Sequence, residues 1–150
     1  MKIKTKFKIE KYKNGKLYEV KEYEDNIILN EGANGLWHLF IGDGTIMPFD
    51  NANAYLGVGD GNTPASSGQT GLMGTNTFYK NVDAGYPQIS DRTITYKATF
   101  TDTEANFHWY EWTLANGNSN LAVNFNRKVE DMGEKVAGTT WVLTAEFSIL

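Results

Sequence analysis

The chain has 150 residues and a mass of 16.8 kDa, enough for one domain that buries a single core without covalent staples. It contains no Cys, which excludes disulfides, thiolate metal sites and Cys nucleophiles. A formal net charge of −4 argues against general affinity for nucleic acid, and no run approaches the roughly 20 apolar residues of a membrane span. The charged amino-terminal segment also lacks the apolar stretch of a signal peptide.

Residues 2–12 alternate, with Ile3, Thr5, Phe7 and Ile9 on one side and Lys2, Lys4, Lys6 and Lys8 on the other, the period of a half-buried strand. Asn14-Gly15 then predicts a type I′ hairpin, so Leu17–Tyr23 should return antiparallel to the first strand. Eight of the fourteen Lys and Arg residues fall within the first 21 positions, but Glu10, Glu19, Glu22 and Glu24 are interleaved with them. The lysines therefore read as the solvated face of an exposed hairpin, guarding against edge-to-edge aggregation, and not as a polyanion site. Residues 1–24 are expected to form a Lys-rich hairpin arm whose Ile3, Phe7, Ile9, Leu17 and Val20 need apolar cover either on their own domain or on a neighbouring subunit, the latter being the expectation. Residues 25–150 should then fold without it as a β-sandwich domain.

Asn26–Leu29 predicts a short strand, and Asn30 is placed to cap a helix over Glu31–Ile41 whose buried face would be Leu36, Trp37, Leu39 and Phe40. Gly32 and Gly35 weaken helix propensity, so packing must hold this helix, and Gly42 is its natural stop. Gly42–Ala54 reads as a loop.

Ala54–Gly74 organises the rest. Tyr55, Leu56 and Val58 read as a buried strand, and Gly57, Gly59 and Gly61 let the backbone turn sharply beside Asp60, with Gly59 or Gly61 expected at positive φ. Thr75–Val82 and Thr93–Thr101 follow as strands, the second with Ile94, Tyr96, Ala98 and Phe100 on one face. Phe107–Leu114 is the most aromatic run and is expected to meet the glycine stretch in the core. After a turn at Ala115–Asn120, Leu121–Val129 and Thr140–Ile149 complete the strands. Thr, Tyr, Phe and Trp enrichment together with turns at this spacing predicts a mainly β fold, a single antiparallel sandwich or barrel with one short helix.

Signals of catalysis are few. The only histidines, His38 and His108, form no ligand pair and read as packed or surface imidazoles. The run Gly57 to Gly61 lacks the Lys-Ser/Thr of a phosphate loop, and Asp60 would repel a phosphate. Asp60, Asn62 and Asp43 carry oxygens without the spacing of a calcium loop, so turn formation explains them better. Glu104 and Glu111 are the one conceivable carboxylate pair for glycoside chemistry. Glu111 lies between Tyr110 and Trp112, and either faces solvent by alternation, the default for an unpaired carboxylate, or rests on backbone N–H groups of the glycine bend. The expectation is a protein that is not an enzyme, without cofactor or metal, in which Gly57, Gly59, Asp60, Gly61, Glu111 and Trp112 are a structural motif.

Several stretches together resemble a family of small virion proteins of tailed bacteriophages. They are NIILNEGANGL at Asn26–Leu36, YLGVGDGNTPASSGQTGL at Tyr55–Leu72, DAGYPQI at Asp83–Ile89, ITYKATFTDTEANFHWYEWTL at Ile94–Leu114, NRKVEDMGEKVAGTTWVLT at Asn126–Thr144 and the closing EFSIL. A looser similarity runs to the amino-terminal attachment region of phage tail-collar fibre proteins, which also couples a GDG bend to a later strand carrying Glu. The resemblance implies a structural protein of the virion, made in the host cytoplasm and carrying no catalytic residues. The role it favours is capsid decoration (head cement), with the major capsid protein or other virion proteins as partners, a homo-oligomer with a trimer favoured, and no direct contact with nucleic acid or membrane. The alternative is a tail or tail-fibre component that recognises host glycans through exposed Trp and Tyr. Trp109, Trp112 and Trp141 fall in strands, where core packing is the expected use.

Overall fold

In the computed structural model, which describes residues 2–150, the alternating amino-terminal segment forms strand β1 (Ile3–Lys13). Asn14 and Gly15, both at positive φ, turn the chain back as β2 (Lys16–Glu24). A short β3 (Ile27–Ile28) and the helix α1 (Asn30–Ile41) precede β4 (Tyr55–Gly59), β5 (Thr77–Asn81), β6 (Gln88–Ser90) and β7 (Thr93–Phe100). The chain ends with β8 (His108–Ala115), β9 (Asn126–Glu134) and β10 (Thr139–Ile149). Two antiparallel five-stranded sheets result, in the orders β2-β1-β10-β7-β6 and β3-β9-β8-β4-β5, so the expected mainly β sandwich with one short helix is what the chain forms. Among the described residues no helix is long and apolar enough to cross a membrane.

Apolar positions of both sheets meet between them. Trp109 stacks edge-on against Trp141 at 4.8 Å and against Phe100 at 4.9 Å, while Phe7 lies 5.2 Å from Trp112. All five rings are buried, and the Trp109 indole N–H is satisfied by the Ala105 carbonyl at 2.9 Å. The three strand tryptophans thus serve the core, as their positions predicted.

The boundary expected at residue 24 does not separate an arm from a domain. β1 lies inside its sheet, between β2 and β10, and pairs with β10 along its whole length from Ile3↔Ile149 to Lys13↔Thr139. Phe7 and Ile9 belong to the same buried cluster as Trp112 and Leu143. A two-stranded ribbon is marginal in water, and the apolar side of β1 finds its cover on its own chain.

Three further expectations change. Leu29, in extended conformation, precedes α1, and Asn30 is its first residue; Asn30 donates its N–H to the Ser67 carbonyl at 2.8 Å and provides no side-chain cap. The helix packs through Gly32 and Gly35, where a Cβ at Gly32 would come within 2.6 Å of the Phe125 backbone. That close approach turns only Leu36 and Leu39 partly inward and leaves Trp37, Phe40 and Ile41 outside, at 59%, 80% and 71% exposure. The strand expected at Leu121–Val129 begins only at Asn126, because Asn116 ties the preceding segment into a loop: its side-chain oxygen accepts the Val123 N–H at 2.8 Å. Gly42 ends the helix in left-handed conformation, φ 62, as predicted.

Candidate functional site

The two stretches expected to meet do so: β4 and β8 pair with Gly57 opposite Thr113 and Gly59 opposite Glu111. Leu56 and Val58 point into the core, so Gly57 and Gly59, alternating with them, leave the outer face of β4 bare beyond Tyr55. Other side chains fill that trough. A Cβ at Gly57 would lie 2.6 Å from the Tyr79 ring, and one at Gly59 would lie 3.1 Å from Glu111 Cγ and closer still to the carboxylate oxygen. Neither Gly59 nor Gly61 has positive φ, so the requirement for glycine here is clearance and not a left-handed backbone. Gly59→Ala is expected to lower stability by roughly 1–3 kcal/mol, the usual cost of overpacking. Urea denaturation measures this, and an unchanged midpoint would mean that the carboxylate yields without loss.

Glu111 does alternate to the outer face, yet it is not exposed. The loop over residues 60–76 folds back across that face and buries it completely. One carboxylate oxygen accepts the N–H groups of Gly61, Met73 and Gly74 at 3.2, 3.1 and 2.7 Å; the other accepts Met73 N–H at 2.9 Å and Arg127 Nε at 2.8 Å. Arg127 Nη2 also stands 2.7 Å from Glu111, both side chains being 0% exposed. The remaining guanidinium donors reach the loop itself, at the Thr63 carbonyl (2.8 Å) and the Gln69 side-chain oxygen (3.1 Å). Of the two alternatives read from the sequence, the glycine-bend one holds, and its cation is Arg127.

Asp60 closes the neck of this loop by accepting the Asn76 backbone N–H at 3.0 Å and its side-chain N–H at 2.8 Å. Trp112, the next residue of β8, faces the core, where it packs against Phe7. Gly57 lies under the Tyr79 ring and Trp112 belongs to the core, whereas Gly59, Asp60, Gly61 and Glu111 are brought together with Arg127 as one anchor. Its carboxylate has its acceptor directions occupied and no access to solvent, an arrangement that fixes backbone and leaves no lone pair for proton transfer. Glu104 has different partners, Lys80 at 2.8 Å and the Thr101 N–H at 2.9 Å, so the two glutamates do not form a shared site.

The remaining polar candidates are likewise dispersed. Among the described residues no group of three His, Asp or Glu is placed to hold a metal ion. His108 stacks on Tyr110 at 4.1 Å and faces Asp131 at 2.6 Å. His38 faces Asp43 at 2.6 Å across the end of α1. Hydrogen bonds from His38 and from the Thr45 backbone pull the Asp43 carboxyl down to about 2. A depressed carboxylate contributes its stabilisation above the ordinary pKa and loses it as pH falls through about 2. Carbon-13 titration of the side chain is expected to find that low value and His38→Ala to raise it; an ordinary pKa in the parent protein would refute the pairing.

One face of the described residues exposes several large apolar side chains. Trp37 and Phe40 lie edge to face at 5.9 Å on the outer side of α1, with Ile41 beside them on the same stripe. The exposed Met47 belongs to the loop that Asn116 bonds at 3.0 Å through the Met47 carbonyl. At this end of the helix the His38 ring nitrogen and the Asp43 carboxylate are bonded to each other. Behind the helix an apolar cavity of about 560 Å³ is lined by Leu36, Leu39, Phe49, Tyr96, Phe125 and Phe147.

A scan against protein-family models, a search of curated proteins and a search of solved structures each returned no match to the chain.

Sequence reasoning missed Arg127 as the partner of Glu111 and misassigned the outward side of α1. Both had signals. The chain contains only two arginines, Arg92 and Arg127, and a glutamate inside an apolar strand requires a cation. Gly32 and Gly35, three apart, mark the close-packed side of the helix and so leave Trp37 and Phe40 on the other.

Proposed function

We propose that this protein is a structural component of a tailed-phage virion, acting as a decoration protein that binds between capsid subunits and stabilises the head. The observation that carries this reading is the outward apolar stripe of α1, Trp37, Phe40 and Ile41, carried on the sandwich. A protein whose work is adhesion needs apolar area on a fixed scaffold. The sequence resemblance supplies the virion context, the major capsid protein as the favoured partner and the trimer as the favoured homo-oligomer. A tail or tail-fibre role is the second reading, favoured by the single exposed tryptophan, Trp37, whose face suits sugar stacking.

Paired substitution Trp37→Ser with Phe40→Ser tests the assignment of the face. It is expected to change stability little, since both side chains are outside the core, while abolishing incorporation into particles assembled without the parent protein. Full incorporation of the doubly substituted chain would remove the face from consideration. Copy number separates the two readings: a decoration protein is present in the hundreds per virion, a fibre component in a few copies.

A further inference from the structure

Three Asn-Gly pairs occur in the chain, Asn14-Gly15, Asn34-Gly35 and Asn116-Gly117. Each sets a side-chain amide beside a backbone nitrogen that no neighbouring Cβ shields, the arrangement from which an asparagine can close on its own main chain. The fold treats the three differently.

Asn34-Gly35 lies inside α1, where the Gly35 N–H belongs to the helical hydrogen-bond ladder and Gly35 is buried against Ile46 and Val123. Freeing that nitrogen requires the helix to open. Asn116 is held through both ends of its amide: the oxygen accepts the Val123 N–H at 2.8 Å and the nitrogen donates to the Met47 carbonyl at 3.0 Å. Gly117 stands close under Ala122, where an added Cβ would come within 2.8 Å. Ring closure at Asn116 would break its ties to two other segments.

Asn14-Gly15 has no such restraint. The pair is the two-residue tip of the β1–β2 hairpin, with Asn14 at φ 51, Gly15 at φ 74 and Lys13 opposite Lys16 as the last rung of the ladder. Asn14 is exposed, and among the described residues neither its side-chain amide nor the Gly15 N–H has a hydrogen-bond partner. A Cβ at Gly15 would meet nothing within 4 Å, so no other segment packs over the turn. Lys13 and Lys16 flank it, both exposed, and their positive charge favours loss of a proton from the amide between them.

We propose that Asn14 is a site of spontaneous deamidation, at which the chain modifies its own hairpin tip. Hydroxide takes the Gly15 amide proton, and the nitrogen attacks Asn14 Cγ. The new C–N bond closes a succinimide ring while the Cγ–Nδ2 bond breaks, and the leaving nitrogen takes a proton from water and departs as ammonia. A second water opens the ring. Opening at Cγ gives aspartate on an unchanged main chain; opening at the Asn14 carbonyl carbon gives isoaspartate, whose main chain runs through Cβ and is one atom longer. Water is the only co-reactant, and nothing is oxidised or reduced.

The two products act differently on the fold. Asp-Gly favours the same type I′ turn, so aspartate keeps the tip and adds a negative charge between two lysines. Isoaspartate lengthens a loop that has only two residues, so Lys13 no longer stays opposite Lys16 and the end of the hairpin opens. The site lies apart from α1 and holds whether or not the chain is a virion protein.

The full chain is held folded in mildly alkaline buffer and sampled over weeks by peptide mapping, which reads the conversion of amide to acid at each asparagine and separates aspartate from isoaspartate. Asn14 is expected to convert at least ~10-fold faster than Asn34 or Asn116, and the three rates to converge when the same chain is unfolded in urea. Gly15→Ala, which shields the attacking nitrogen, is expected to slow conversion at Asn14 several-fold. Asn34 or Asn116 keeping pace with Asn14 in the folded chain overturns the proposal, as does an Asn14 that stays intact while the unfolded chain converts. An unslowed Gly15→Ala variant overturns the ring-closure route.

Discussion

Replacing Glu111 with Ala is expected to unfold most of the chain at room temperature. The substitution removes the acceptor of the Gly61, Met73 and Gly74 N–H groups and strands the buried Arg127 guanidinium at one stroke. Breaking a buried pair from one side costs about 3–5 kcal/mol, and each orphaned buried donor adds roughly 1–3 kcal/mol. A domain of this size has only about 5–15 kcal/mol to lose. Arg127→Met is expected to cost about 3–5 kcal/mol alone, since the loop keeps its acceptor but the carboxylate loses its counterion. Combining Arg127→Met with Glu111→Gln should recover much of that loss, because a neutral amide oxygen still accepts the loop N–H groups while no unpaired charge remains. Denaturant midpoints measure all three. If the combined variant is no more stable than Arg127→Met, the anchor depends on the ion pair itself and not on the seating of the loop.

Deleting residues 1–24 is expected to give an insoluble or molten chain, and not a folded domain that merely fails to assemble. The deletion removes Phe7 and Ile9 from the core, at roughly 1.5–3 kcal/mol each, uncovers Trp112, and leaves β10 with an unpaired edge along its whole length. Expression as a soluble fraction, followed by near-ultraviolet dichroism for fixed aromatic packing, decides the matter. A truncated protein that melts cooperatively would show that β10 and β7 hold the core without β1. Phe7→Ala in the full chain is a milder check, expected to cost about 3–5 kcal/mol.

The strands were legible because the period-2 pattern records burial directly: Ile94 to Phe100 alternate in the sequence and in the structure. The meeting of the glycine stretch with the aromatic strand was legible too, since bare backbone invites large neighbours. What single-sequence reasoning reached less well was the third dimension of each element. Whether Glu111 meets water depends on residues 60–76 lying over it, and nothing within β8 records that cover. Residues 1–24 were read as an arm because a charged hairpin looks self-sufficient on paper; the strand that claims it, β10, lies at the other end of the sequence. For α1, composition located the helix, but its packed side was set by two missing side chains at Gly32 and Gly35 and not by the four large ones nearby.

The pairing of β1 with β10 also imposes an order of events on synthesis. β1 leaves the ribosome well before β10 and cannot be completed until β10 has been made, and at about 5–20 residues per second that interval is roughly 7–27 s. Throughout it the nascent chain carries Phe7 and Ile9 without their final cover, a topology that folds slowly because its key contacts are distant in sequence. The alternating lysines and the interleaved glutamates of β1 and β2 then have a second use, in time instead of in space: they keep the waiting hairpin hydrated until its partner strand arrives.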